Sequence, residues 1–231
     1  MSVAPPADAA AATPEVPSRL RIHEIFHSIQ GESSHAGRPC AFVRLTGCQM
    51  RCVWCDTAYA FYEGEWLALD AIVARVRELG CPLVEITGGE PLLQPAVHPL
   101  MSRLCDEGFE VLLETGGGLD IGGVDSRVRR IVDVKCPGSG EAASNRWENL
   151  ALLRAGDELK FVLAGEEDYR WAKRVIAERA LAARGLPLLS APVWGALEPR
   201  QLAEWSLRDR LPVRLNLQQH KILWGPETRG V

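Results

Sequence analysis

Gly47-Cys48-Gln49-Met50-Arg51-Cys52-Val53-Trp54-Cys55-Asp56 sets three cysteines in one tight loop at the spacing CxxxCxxC. The pattern offers three thiolates to one metal centre and no fourth. A 4Fe–4S cluster that only transfers electrons is held by four cysteines. Three leave one iron open to an outside ligand, which suits a cluster that must bind and reduce a small molecule. A structural zinc site would add a second cysteine pair or histidines further on. Here Cys40, Cys81, Cys105 and Cys136 are scattered singly, and neither His35 nor His98 stands at zinc-ligand spacing. Seven cysteines are an odd count, and nothing in the chain suggests secretion, so a disulfide framework is not expected. Cys81 and Cys105 read as packing residues.

A second segment, Thr87-Gly88-Gly89-Glu90-Pro91, follows an apolar run. Paired glycines let backbone approach a neighbour closely because no Cβ intervenes. Alone, the segment also reads as a plain strand-to-helix turn with Pro91 starting the helix.

These loops need elements to hold them. Leu20 to Ile29 reads as a first strand, Gln30-Gly31-Glu32-Ser33 as a turn, and Cys40 to Leu45 as a second strand feeding the cysteine loop. Leu69, Ile72, Val73, Val76 and Leu79 fall at helical spacing, and Gly80 closes that helix. Strands are expected at 82–87, 109–114, 130–134, 159–163, 186–189 and 213–217. Helices are expected near 97–104, 147–153, 168–183 and 199–205. Alternating strands and helices imply right-handed crossovers and a parallel sheet. About six parallel strands are fewer than a closed eight-stranded barrel needs, so the expected fold is α/β, a partial, open (β/α) barrel. Ligands of parallel sheets sit at the C-terminal ends of the strands, where both motifs fall.

The 231 residues are 47% hydrophobic and 24% charged, with a formal net charge of −4. That composition is ordinary for a globular protein and gives no general attraction to nucleic acid or an anionic membrane. Arg127, Arg129 and Arg130 read as a solvated face before a strand. No apolar run reaches the ~20 residues of a membrane span. Residues 1–17 are rich in Ala and Pro, hold no basic residue and read as a disordered tail on a cytoplasmic protein. Residues 18–231 then form a single core domain.

Together the cysteine loop and Gly88-Gly89-Glu90-Pro91 resemble the signature of the radical S-adenosylmethionine (SAM) superfamily. Four further segments narrow the resemblance: Gln30-Gly31-Glu32, Phe42-Val43-Arg44, Cys55-Asp56-Thr57 and Gln219-His220-Lys221. Over residues 20–231 the chain is similar to the 7-carboxy-7-deazaguanine synthases of the queuosine pathway. That resemblance implies a lyase that contracts the ring of 6-carboxy-5,6,7,8-tetrahydropterin with loss of ammonia. It implies that a reduced cluster cleaves SAM to a 5′-deoxyadenosyl radical, which takes hydrogen from carbon 6 of the pterin. By the same resemblance Cys48, Cys52 and Cys55 ligate the 4Fe–4S cluster, and Thr57 helps hold a Mg²⁺. Gly88, Gly89, Glu90 and Lys135 hold SAM, with Glu90 accepting from its ammonium. Gln30, Gly31, Glu32, Arg44, Thr87 and His220 line the pterin pocket. A flavodoxin- or ferredoxin-type electron donor and a homodimer are also implied.

Some positions depart from the family pattern. Ser33 stands where glycine is usual, so a turn needing positive φ there is strained. Asp133-Val134-Lys135 and Ser190-Ala191-Pro192 replace segments that hold the ribose and adenosine. Two alternatives remain from sequence: a glycyl-radical enzyme activase, which shares the first two motifs, and a non-catalytic module with a structural metal.

Overall fold

β1 (Arg19–Ile29) and β2 (Pro39–Leu45) form where β-branched and aromatic residues recur, and they pair antiparallel, Phe26 opposite Phe42. A short strand, β3 (Glu65–Ala68), pairs antiparallel with the outer side of β1. From β2 onward every neighbour is parallel: β4 (Leu83–Gly88), β5 (Glu110–Thr115), β6 (Arg129–Val134), β7 (Glu158–Leu163), β8 (Leu188–Pro192) and β9 (Arg214–Leu215). The sheet order is β3-β1-β2-β4-β5-β6-β7-β8-β9. The computed structural model describes residues 18–231. The segment 1–17, expected as a disordered tail, lies outside the described residues.

Helices α1 (Leu69–Glu78), α2 (Val97–Asp106), α3 (Glu166–Glu178) and α4 (Pro199–Arg208) bury one stripe each, such as Ile72, Val73 and Val76 of α1. These stripes join Val43, Val84, Ile86, Leu112 and Phe161 in one apolar core. α1 carries Asp70 in its first turn and Arg75 and Arg77 in its last, which complements the helix dipole.

An open, mainly parallel half-barrel is therefore the fold, with six full-length parallel strands and a two-residue seventh. The antiparallel pairing of β1 was not expected. The crossover rule governs strands joined by helices, whereas β1 and β2 are joined by a short turn. The expected helix 168–183 starts at Glu166 and stops at Glu178, because Ala180 adopts a left-handed conformation (φ 48°) and a 3₁₀ turn follows. The expected strand 213–217 is only Arg214–Leu215. β3 and a C-terminal helix, α5 (Gln219–Trp224), are short and weakly periodic and were not expected. Arg127 and Arg129 are half-exposed as expected, but Arg130 is not. It is buried against Asp157, with Nε and Nη2 donating to that carboxylate and Nη2 also to Leu152 O.

Strand alternation aims a set of polar side chains into the concavity. Arg44 of β2 lies level with Thr87 of β4, and Asp133 of β6 with Lys160 of β7. Glu85 sits two residues before Thr87, and Glu114 two residues beyond the β5 position level with Glu85. All six line one cavity.

Candidate functional site

The cavity has a volume of about 580 Å³ and opens at the C-terminal ends of the parallel strands. Cys48, Cys52 and Cys55 stand on one wall of it, partly exposed and unpaired, while Cys40, Cys81 and Cys136 are buried in the core. The loop is shaped by its own backbone: Cys55 N donates to Cys52 O at 3.2 Å, and Met50 N donates to the Cys48 sulfur at 3.4 Å. Burial pushes the Cys48 and Cys52 thiols up, and the Lys135 ammonium opposes that on both.

The paired glycines close on this loop. Gly89 N donates to Leu45 O, and Glu90 N donates to Gly47 O at 2.8 Å. A Cβ on Gly89 would overlap the Gly47 carbonyl and lie 2.8 Å from Cys48 Cβ. The expected close approach is real, but the neighbour is the cysteine loop's own backbone. Glu90 lies beneath the cavity floor, 1% exposed. Its carboxylate accepts from Leu92 N, the Thr115 hydroxyl and Gly116 N at 2.8–3.1 Å, which ties the β4 tip to the β5 tip. Burial raises its pKa against those hydrogen bonds. Lys135 reaches the cavity with Nζ 2.7 Å from Asp133 Oδ2. Burial disfavours its charge, but Asp133 outweighs that and raises its pKa.

The opposite wall comes from the turn after β1. Ser33 adopts φ 60°, the strained conformation expected, and its Oγ accepts from His35 N at 3.1 Å. Gln30 is buried with both ends of its amide engaged: Oε1 accepts from Glu32 N, and Nε2 donates to Glu85. It therefore positions Glu32 and has only its second amide N–H left over. Glu32 accepts from Lys160 at 3.1 Å, Gln218 at 3.0 Å and Asn216 at 3.4 Å. Burial alone would raise its pKa, but the Lys160 ammonium and the Gln218 amide hold it below the ordinary glutamate value. Arg44 pairs through Nε with Glu24 at 2.7 Å, the local partner that a strand arginine ordinarily finds. Its terminal nitrogens make no hydrogen bond among the described residues, and its guanidinium borders the cavity.

α5 locks this wall to the cysteine loop. Gln219 N donates to Gly31 O, and Lys221 Nζ lies 2.6 Å from Asp56 Oδ2. A Cβ at Gly31 would overlap the His220 ring, so glycine there lets α5 close down. Gly31 does not itself line the cavity, but His220 does, and burial holds its pKa down. Thr57 precedes a 3₁₀ turn without capping it; its hydroxyl faces the cavity 3.7 Å from Cys55 Sγ. Among the described residues, no three His, Cys, Asp or Glu side chains converge on a single ion.

Residues 42–138 match the radical SAM superfamily. The 7-carboxy-7-deazaguanine synthase of Chlorobaculum tepidum is 52% identical, over 92% of this chain and 97% of its own length. That of Koribacter versatilis is 45% identical, over 92% of this chain and its full length. The chain belongs to the 7-carboxy-7-deazaguanine synthase family. The crystal structure of QueE from Escherichia coli superposes with a TM-score of 0.70 over 87% of this chain and 95% of that one. At 23% identity that likeness bears on the fold, and it is the same open half-barrel.

The sequence motifs left four cavity residues unmarked, Glu85, Glu114, Lys160 and Gln218, and held Asp56 and Lys221 without giving them a role. A signal was present in two of them. Glu85 interrupts Leu83-Val84-Glu85-Ile86, and Lys160 interrupts Leu159-Lys160-Phe161-Val162. A charge inside a buried strand needs a partner on the same face, and here the two belong to one network.

Proposed function

We propose that this chain converts 6-carboxy-5,6,7,8-tetrahydropterin to 7-carboxy-7-deazaguanine and ammonia. It is a radical SAM lyase of 7-deazapurine (queuosine) biosynthesis, which feeds tRNA modification. The observation that carries the reading is the convergence, on one cavity, of the three-cysteine loop, the Gly88-Gly89 tip and the Glu32–Arg44–His220 wall.

The residues present fit a 4Fe–4S cluster. Three free thiols face the cavity, a backbone N–H points at one sulfur, and hydrogen bonds to sulfur tune such clusters. They also fit SAM. Gly88, Gly89 and Lys135 line the cavity with the thiols, whereas Glu90, expected to accept from the SAM ammonium, is buried beneath the floor and braces the β4 tip instead. Asp133 lines the same cavity and its Oδ1 is buried without a partner, so a ligand hydroxyl would complete it. When bound, the cluster and SAM supply hydrogen-atom abstraction from the substrate. A Mg²⁺ beside Thr57 would take its other oxygens from substrate and water.

The protein's own part is to orient and to exclude water. Glu32 accepts from the amino and ring N–H donors of the pterin. The terminal nitrogens of Arg44 meet its carboxylate, where a planar fork fits. Thr87 and the neutral His220 border the ring. Single electrons come from a flavodoxin- or ferredoxin-type donor. The enzyme works in the cytoplasm as a homodimer; no helix among the described residues is long and apolar enough to cross a membrane. Calorimetry on the reconstituted, SAM-loaded protein tests this reading. Saturable binding of 6-carboxytetrahydropterin is expected, and an absence of pterin affinity would remove it.

A further inference from the structure

Glu85 is a buried carboxyl on the cavity floor with no part in the chemistry above. Gln30 fixes how it is held. The Glu32 N–H can only donate, so the amide oxygen of Gln30 faces it and the amide nitrogen faces Glu85 Oε2. Glu114 stands on the neighbouring strand β5, two residues beyond the position level with Glu85, and its charge and hydrogen bonding act on the Glu85 carboxyl. Two carboxyl groups can share a hydrogen bond only when one carries a proton.

The charges around the pair require the same proton. Lys160, buried on β7, is in contact with both Glu114 and Glu32. Three ionised carboxylates around one lysine would leave a buried negative charge uncompensated. Lys135 after β6 is bound to Asp133, Arg44 of β2 to Glu24, and Lys221 of α5 to Asp56. His220 of α5 is kept from protonation by burial. Burial first, then the charge and hydrogen bond of Glu114, push Glu85 well above the ordinary glutamate value.

We propose that Glu85 is a positioning residue of the reaction, which stores one proton behind Glu114 and supplies it through Glu114 as the ring-contracted substrate loses ammonia. The proposal rests on the pterin reading. Glu114 takes the proton of Glu85 and passes it to the departing amine nitrogen. The C–N bond breaks with both electrons leaving on nitrogen as ammonia. The neighbouring ring carbon gives up a proton as its C–H electrons become the new double bond, and that proton returns to the carboxyl pair. One proton leaves the pair and one comes back, so the step needs no oxidant or reductant.

Glu85→Gln tests it, because the amide keeps the shape and a hydrogen bond to Glu114 but holds no acid proton. The kcat for product should fall about 100-fold with KM for the pterin nearly unchanged. The alkaline limb of the kcat profile should move to lower pH, because the buried Glu85 acid, whose pKa is raised in the parent, is gone from the variant. A second readout needs neither turnover nor the variant. In unreduced, SAM-loaded wild-type protein with carbon-13-labelled glutamate, a carboxylic-acid C=O infrared band should persist at neutral pH and shift on adding the pterin. No such shifting band overturns the proposal, even where the variant fails to fold. A parent that makes product, matched by Glu85→Gln in kcat and pH profile, overturns the proposal alone. A parent that makes no product removes the pterin reading and the proposal with it.

Discussion

On the proposed reading, substrate selectivity turns on Glu32. It is ionised in a buried site because Lys160 and Gln218 compensate it, and a ligand with several N–H donors can share or replace those partners. Glu32→Gln should weaken pterin binding by about 1–3 kcal/mol while SAM still binds. Calorimetry with each ligand separates the two effects, and an unchanged pterin affinity contradicts the assignment. Thr57 carries a smaller role. Thr57→Val keeps the shape and deletes the oxygen, so it should slow turnover as Mg²⁺ removal does, without loss of SAM affinity. Equal rates with and without chelator would end the Mg²⁺ assignment. Both residues were legible in the sequence, because each stands at a fixed place in a motif. The network beneath them was not. Glu85, Glu114 and Lys160 are separated by 29 and 46 positions along the chain, and only the stagger of parallel strands brings them together.

The β4 tip and the cysteine loop behave as one unit, since Gly89 fits only because it has no side chain. Gly89→Ala should therefore cost most of the bound iron in anaerobically reconstituted protein, although all three cysteines remain. Full iron in that variant would show that the two loops are independent. The turn before β2 has a different weakness. At φ 60° Ser33 carries strain that its hydroxyl bond to His35 offsets. Ser33→Gly removes both, whereas Ser33→Ala keeps the strain and loses the bond. The alanine variant should unfold at lower denaturant than the glycine variant, by about 1 kcal/mol; the reverse order would contradict a strained turn. Strand and helix periodicity located most of the barrel. It missed α5, whose six residues are too few to show a period. Yet this helix joins the Gln30-Gly31-Glu32 turn to Asp56, so the C-terminal motif works through a helix that sequence alone left as a loop.

Across the fold, the half-barrel divides its labour by face. Apolar side chains pack under α1–α4, and Arg44, Glu85, Glu114, Asp133 and Lys160 of the sheet are turned to the concave side. The concave charges are compensated in pairs: Arg44 with Glu24, Lys135 with Asp133, Lys221 with Asp56, and Lys160 with its two acids. Such pairing keeps an open polar cavity foldable before any ligand arrives. On the proposed reading it also presents SAM and an anionic pterin with a site whose charges are already largely paired. The most direct test of the account is an anaerobic incubation of the reconstituted full-length chain with SAM, dithionite, Mg²⁺ and 6-carboxytetrahydropterin. The account predicts 7-carboxy-7-deazaguanine and ammonia in equal amounts, with SAM not consumed in step with product. Cleavage of SAM without any deazaguanine, from protein carrying a full complement of iron, would contradict it.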